Sequence, residues 1–361
     1  MEILFPILTA FFVTCLAVLP TIKLAQKYNL VDNPKLRPHP AHTQNRIIPR
    51  AGGLAIFTGI VTAIFLFIPL DKHIYGIIIS LVILLIVGLL DDFWTNFNPY
   101  LRLLFQFLVA AVVVASGVGI TFVNNPFGGI LRLDSFVYTI NLFGKHNIIL
   151  IADIFAFLWI VWVMNMTNWS KGVDGQMPGT IAVAAIIIGA FSYKLFIGGD
   201  QNQLGISLLA FITAGSALGF LVFNWHPAKI IPGFSGSTIL GFMIATLSIL
   251  SGAKLAIALL VLLVPAVDFL YTFFRRVLEK KSPLVGDRKH LHHLLLDKGW
   301  SHRRISLFYI TSCAILGLLA INLSSKGKLF TLLGLAVIIL GGIIWLNFFS
   351  GYSKQADRDN G

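Results

Sequence analysis

Residues 165–179 read Asn-Met-Thr-Asn-Trp-Ser-Lys-Gly-Val-Asp-Gly-Gln-Met-Pro-Gly, a polar stretch punctuated by glycine between two long apolar runs. Its amides, the Asp174 carboxylate and the Lys171 ammonium stand where a helix leaves a bilayer. A charge held there without water or a partner costs roughly 2.5–3.5 kcal/mol. A chain that keeps such groups at a membrane edge is using them, unless the stretch is a solvated turn between two spans. The apolar runs on either side decide the fold class: an all-α protein that crosses a membrane many times.

Composition agrees. Of 361 residues, 57% are hydrophobic and only 12% charged, against about a quarter charged in soluble domains. Spans of about 20 apolar residues cross a bilayer core. Eleven are expected, near 3–22, 52–70, 74–90, 101–121, 149–166, 178–197, 204–223, 237–251, 255–273, 305–323 and 329–349. The first, without a basic segment before it or a small-residue cleavage signature after it, reads as a retained span. Residues 1–350 form one membrane domain, and 351–361 a polar tail expected to lack structure. Cys15 and Cys313 lie inside apolar runs, which leaves no disulfide framework and no Cys-based metal site. No internal repeat is evident, which argues against the duplicated architecture of many transporters.

Orientation follows from Lys and Arg. With the N-terminus outside, the outer connections hold Lys72, Arg132, Lys145, Lys194, Lys254, Lys326 and Lys328, and the inner segments hold the other 20 of 27. The C-terminus is then inside. Much of the +12 net charge is positive-inside topology, and no nucleic-acid partner is needed to explain it. The outer segment 122–147 alternates and carries turn residues, the pattern of a small β-hairpin. Asp134 and Asp153 fall on this outer side and are poor catalytic candidates.

Five polar islands share the inner side. The loop 27–53 holds Asp32-Asn-Pro, Arg37-Pro-His39-Pro and Pro49-Arg50-Ala-Gly52-Gly53, and its glycine-led helix start can hold phosphate on free N–H groups. Gly88-Leu-Leu-Asp91-Asp92 places adjacent carboxylates at a span end, suited to a divalent metal or to general-base work, or to a solvated helix end. Just after it, Arg102 either snorkels to lipid headgroups or binds phosphate. The third island is residues 165–179. The fourth, Phe223-Asn224-Trp-His226-Pro227-Ala228-Lys229, continues to Gly233-Phe234-Ser235-Gly236-Ser237, whose N–H groups are again placed for an anion. The fifth, 274–304, contains Ser282-Pro283 and Asp287-Arg288-Lys289-His290-Leu-His292-His293. These histidines suit metal, sugar or phosphate, but not a structural zinc, since Cys and further close carboxylates are lacking.

Taken in order, the islands resemble the polyprenyl-phosphate N-acetylhexosamine-1-phosphate transferases, glycosyltransferase family 4, over about residues 20–305. The matching features are Asp32-x-Pro, Pro49-Arg50-x-Gly-Gly, Asp91-Asp92, Asn168 to Gly175, Phe223-Asn224-x-x-Pro227-Ala228, Val264-Pro265-x-x-Asp268 and Ser282-Pro283…Asp287-Arg288-x-His290-x-His292-His293. The His-Leu-His-His group is similar to the branch that uses UDP-N-acetylglucosamine. The resemblance implies transfer of sugar-1-phosphate from a UDP-sugar to polyprenyl (undecaprenyl) phosphate at the cytoplasmic face of the plasma membrane. UMP is released and cell-wall, peptidoglycan or lipopolysaccharide-type polymer synthesis is initiated. It further implies Mg²⁺ and a homodimer, with polyprenyl phosphate, UDP-sugar and membrane lipids as partners. By position, Asp91 and Asp92 would engage the metal or deprotonate the lipid phosphate, with Asp174 as a further ligand. Asn168 and Asp174 would hold the nucleotide side. Arg102 would contact phosphate, Arg50 and Asn224 would bind substrate, and Arg288, His290, His292 and His293 would bind the sugar or the pyrophosphate.

Two positions depart from the family pattern. The family has Asn-x-x-Asp-Gly-x-Asp-Gly where this chain has Asn168-Trp-Ser-Lys171-Gly-Val-Asp174-Gly. It has Gly-Asp-x-Gly-Ser, whose Asp is a principal metal ligand, where this chain has Gly233-Phe234-Ser-Gly-Ser. Two carboxylates are gone and one is an ammonium. Three readings follow: an enzyme in which Lys171 supplies charge that Mg²⁺ normally brings, an enzyme that keeps Mg²⁺ on Asp91, Asp92 and Asp174, or a non-catalytic paralogue that binds lipid phosphate or nucleotide-sugar or scaffolds a partner.

Overall fold

Long apolar runs without a polar stripe can satisfy their backbone inside a bilayer only as helices, and helices are what they form. The computed structural model describes residues 2–34, 43, 46–94, 97–135, 137–141, 145–252, 255–282 and 288–359. The chain runs α1 (Leu4–Lys27), β1 (Val31–Asp32), β2 (Ile48–Pro49), α2 (Gly52–Phe67), α3 (Lys72–Phe93), α4 (Pro99–Ala115), β3 (Phe122–Asn124), β4 (Ile130–Arg132), β5 (Val137–Asn141), β6 (Lys145–Ile149) and α5 (Leu150–Trp169). It continues α6 (Gln176–Ile197), α7 (Gln203–Asn224), α8 (Gly233–Leu250), α9 (Leu255–Val261), α10 (Leu263–Leu278), α11 (Leu291–Asp297), α12 (His302–Asn322) and α13 (Ser325–Asp359).

Eight of these helices are long and apolar enough to cross a membrane, α2 and α4 are shorter apolar helices, and α9 with α10 makes a bent pair. Together they account for the eleven expected segments, with corrections. The ninth is not a straight span over 255–273: α9 and α10 meet at 84°. Pro265 explains the break, because it has no N–H to offer the carbonyl of Val261, four residues back. The outer segment forms two antiparallel hairpins, Phe122 opposite Arg132 and Val137 opposite Ile149 as outermost pairs, where one was expected. The tail from 351, expected to lack structure, continues α13 as far as Asp359.

α8 is the centre of the bundle, packed against α2, α3, α5, α6, α7 and α9 and buried from Gly233 to Ile249. Its Gly- and Ser-rich start permits this. An added Cβ on Gly88 of α3 would lie 2.3 Å from Ser235 Cα, and one on Gly53 of α2 would lie 2.3 Å from Ser235 Oγ. Small residues at such crossings let helix backbones touch without bulk. By contrast α13 and the outer faces of α1 and α3 expose large apolar side chains, including Leu16, Ile86 and Val337. That is the surface a bilayer covers. The ends of α3, α5, α7 and α10 and the starts of α2, α4, α6, α8 and α12 share one end of the bundle, and the polar islands meet there.

Candidate active site

The turn between α5 and α6 organises that end. Three of its residues reach three different polar clusters: Lys171 toward the start of α8, Gly172 against His292, and Asp174 beside His226. A side chain on Gly172 would place its Cβ 2.1 Å from His292 Nε2, so the backbone itself forms the wall there.

The first cluster is built on Asp91 and Asp92, the last acidic residues of α3. Asp92 Oδ1 accepts from Phe234 N at 2.8 Å and from Arg50 Nε at 2.9 Å, and Asp92 Oδ2 accepts from Ser235 Oγ at 2.8 Å. Asp92 therefore caps α8, taking the N–H groups that the sequence alone leaves open to a bound anion. Gly233 makes this possible. Its φ of +70° suits glycine, and a Cβ there would stand 2.3 Å from Asp92 Oδ2.

Arg50 follows β2, whose pairing with β1 sets Ile48 opposite Asp32. Its guanidinium lies 3.5 Å from Asp91 and 3.9 Å from Asp32 as well as on Asp92. Arg102, in the first turn of α4, contacts Asp91 Oδ1, yet neither Asp91 oxygen receives an aligned hydrogen bond among the described residues. So Asp91 is held by charge alone, Asp92 by charge and hydrogen bonds.

Lys171 completes the cluster without touching a carboxylate among the described residues. Its Nζ donates to Asn168 Oδ1 at 2.6 Å, to Gly233 O at 2.9 Å and to Ser237 Oγ at 3.4 Å. The Phe234 ring lies 5.9 Å from that ammonium and 5.4 Å from the Arg102 guanidinium carbon. The two residues that the resemblance singles out are thus in one contact. Burial and the nearby Arg50 lower the ammonium from its ordinary 10.5 to about 7, against the opposing pull of Asp92 and Asp91.

In the second cluster Asp174 Oδ2 lies 2.8 Å from His226 Nδ1 and 4.0 Å from His302 Nδ1, with Ala228 N donating at 3.1 Å and Arg46 at 3.5 Å. The two imidazoles stack, centroids 4.5 Å apart. His302 carries no signal in the sequence beyond its place at a helix start, and neither it nor Arg46 stands out as a site residue there. Asn224 has both ends of its amide on backbone, accepting from Gly175 N and donating to Ile230 O, so its contacts hold two loops together.

The third cluster is His290, His292 and His293. Asp268 Oδ2 lies 2.9 Å from His290 Nδ1, and its Oδ1 accepts from Leu291 N at 2.7 Å, which fixes the start of α11. Burial lowers His292 and His293 below the ordinary imidazole value, His293 to about 4, so both are neutral at pH 7. Arg288 is not brought to these groups: its side chain is 51% exposed and pairs with Asp297 at 3.0 Å. Lys35, Arg37, His39, Pro283 and Asp287 lie outside the described residues.

The family model for glycosyl transferase family 4 matches residues 74–252, the segment that carries Asp91, Asp92 and the α5–α6 turn. A Bacillus subtilis (strain 168) protein described as a probable undecaprenyl-phosphate N-acetylglucosaminyl 1-phosphate transferase is 32% identical over 356 residues, covering 95% of this chain and 87% of that relative. The chain belongs to glycosyl transferase family 4. Two further relatives match over most of the chain. The decaprenyl-phosphate N-acetylglucosaminephosphotransferase of Mycobacterium tuberculosis (strain H37Rv) is 33% identical over 83% of this chain and 77% of its own length. The undecaprenyl-phosphate alpha-N-acetylglucosaminyl 1-phosphate transferase of Escherichia coli (strain K12) is 26% identical over 86% and 81%.

In this family 4 chain the residues around Asp91 and Asp92 do not fit the Mg²⁺ that the resemblance implies. Both oxygens of Asp92 are engaged by Arg50 and the start of α8. Asp91 stands between two guanidiniums. Asp91 and Asp92 face three cations, Arg50, Arg102 and Lys171, and even with Asp32 the set is only balanced. At an effective dielectric of about 20 and a separation of about 5 Å, each unit cation opposes a divalent ion by roughly 7 kcal/mol. Asp174, the third expected ligand, is bonded within its own cluster.

Proposed function

We propose that this protein transfers N-acetylglucosamine-1-phosphate from UDP-N-acetylglucosamine to a polyprenyl phosphate at the cytoplasmic face of the plasma membrane. An oxygen of the lipid phosphate attacks the phosphorus that bears the sugar. The bond from that phosphorus to the bridging oxygen breaks, and UMP leaves with that oxygen. The product is a polyprenyl diphosphate sugar, the starting unit of a surface polymer. Membership of family 4 and the names of the relatives support the reaction. The single structural observation that carries the reading is the meeting of three polar clusters on one short turn at one end of the helix bundle.

The roles divide by contact. Arg50 and Arg102 hold phosphate oxygens. Asp91, buried between the guanidiniums of Arg50 and Arg102, orients them toward the phosphate, while Asp92 holds the start of α8 in place. Neutral His292 and His293 are donors or acceptors for the sugar or pyrophosphate. Asp174, with His226 and His302, offers the nucleotide a carboxylate and two imidazoles.

The engagement of Asp92 by α8 favours one second reading, a binding protein for lipid phosphate or nucleotide-sugar without turnover. Purified protein given undecaprenyl phosphate and a panel of UDP-sugars separates the two. UMP and a lipid-linked sugar should form together with UDP-N-acetylglucosamine. Binding of either substrate without UMP under any buffer condition supports the second reading instead.

A further inference from the structure

We infer that Arg50, Arg102 and Lys171 together bind a substrate phosphate without a divalent cation. The inference rests on the transferase reading only for the identity of the phosphorylated ligand. Its first ground is Lys171. Every acceptor around its Nζ is neutral: an amide oxygen at 2.6 Å, a backbone carbonyl at 2.9 Å and a hydroxyl at 3.4 Å. No carboxylate lies within ion-pair distance of it among the described residues. A partly buried ammonium with neutral hydrogen-bond partners alone is undercompensated, and an arriving anion relieves it.

The second ground is layering. The carboxylates of Asp91 and Asp92 are 0% exposed, whereas the side chains of Arg50 and Arg102 are 21% and 30% exposed. What the cluster presents outward is therefore mainly cationic, with Asp91 and Asp92 beneath and Asp32, 15% exposed, at its edge beside Arg50. A metal ion approaching this surface meets guanidinium groups first; a phosphate meets charge-assisted donors, including forks whose planar geometry matches its oxygens.

Phe234 is the third ground. Its ring packs against both Arg102 and Lys171. Cation–π contact holds a cation in place without neutralising it, so the ring keeps both charges available to a ligand. A carboxylate at the same place would pair with them. The start of α8 adds nothing to anion binding, because Phe234 N and Ser235 N point to Asp92. The side chains must supply the affinity.

The test uses the full-length protein in detergent, with farnesyl phosphate and, separately, UDP-N-acetylglucosamine as probes in calorimetric titrations. Each is run in excess EDTA and in excess Mg²⁺, with farnesol as the phosphate-free control. The expected result is tight binding of at least one phosphorylated probe in EDTA, changed by less than about threefold on adding Mg²⁺, and none of farnesol. Lys171→Met should weaken that binding by at least about tenfold, the loss of one charge-assisted contact. Lys171→Arg should keep it within about threefold. Binding that needs Mg²⁺, or a correctly folded Lys171→Met that binds like wild type, overturns the inference. Should Lys171→Met fail to fold, the EDTA comparison on wild type decides alone. The two readings fail separately. UMP release only with Mg²⁺ removes this inference and keeps the transferase; Mg²⁺-independent binding with no UMP under any condition does the reverse.

Discussion

Asp91 and Asp92 are neighbours in sequence and equally buried, yet replacing them should have unequal consequences. Asp92→Ala removes the anchor of Arg50 Nε at 2.9 Å and the acceptor for Phe234 N at 2.8 Å and Ser235 Oγ at 2.8 Å. Removing one member of a buried pair costs roughly 3–5 kcal/mol. Arg50 keeps Asp91 at 3.5 Å and is 21% exposed, so the low end applies, about 3 kcal/mol. At roughly 2 °C per kcal/mol for a large chain, melting should fall by about 6 °C. Asp91→Ala removes no aligned hydrogen bond, and the Arg102 it releases is 30% exposed and can hydrate. Its cost should stay within about 1 kcal/mol, or about 2 °C. The assay is thermal unfolding of purified protein in detergent without ligand, paired with UMP release. Asp91→Ala should melt almost as wild type and lose turnover. Equal losses of stability, or a larger one for Asp91→Ala, would refute the division of labour between the two carboxylates.

Other perturbations test the remaining clusters. Gly172→Ala places a methyl 2.1 Å from His292 Nε2 and should cut turnover at least about tenfold by displacing that ring, read as UMP release at saturating substrate. Among the described residues Arg288→Ala removes an exposed pair with Asp297, so stability should change by less than about 1 kcal/mol and turnover by less than about twofold. Lys171 sits at about 7 in the folded chain against an ordinary 10.5, so the unfolded chain holds the extra proton between those values. Wild-type stability relative to Lys171→Met should therefore rise with pH across that window and level off below it. A melting-temperature difference that falls with pH over the same range contradicts the sign.

The spans were legible because hydropathy acts locally: a run of about 20 apolar residues has few other fates. The bend between α9 and α10 is marked by Pro265, but hydropathy does not show it, since the run of apolar residues continues through it. At the site, sequence placed Lys171 and Phe234 as the two unusual residues but gave no sign that they touch. It also left Phe234 N and Ser235 N free for a ligand, whereas Asp92, more than a hundred residues earlier, takes them. The pairing of Asp174 with His226, His302 and Arg46 was hidden for the same reason. Such contacts depend on which helix ends meet, and one sequence carries no local mark of that. Asp268 is the exception: a charge inside an apolar span needs a partner, and His290 is that partner.

The most direct measurement is the rate of UMP release from UDP-N-acetylglucosamine and undecaprenyl phosphate by wild-type protein, run side by side in excess chelator and in excess Mg²⁺. A family 4 transferase whose phosphate is held by Arg50, Arg102 and Lys171 should show rates equal within about threefold. Release confined to the Mg²⁺ reaction would contradict it.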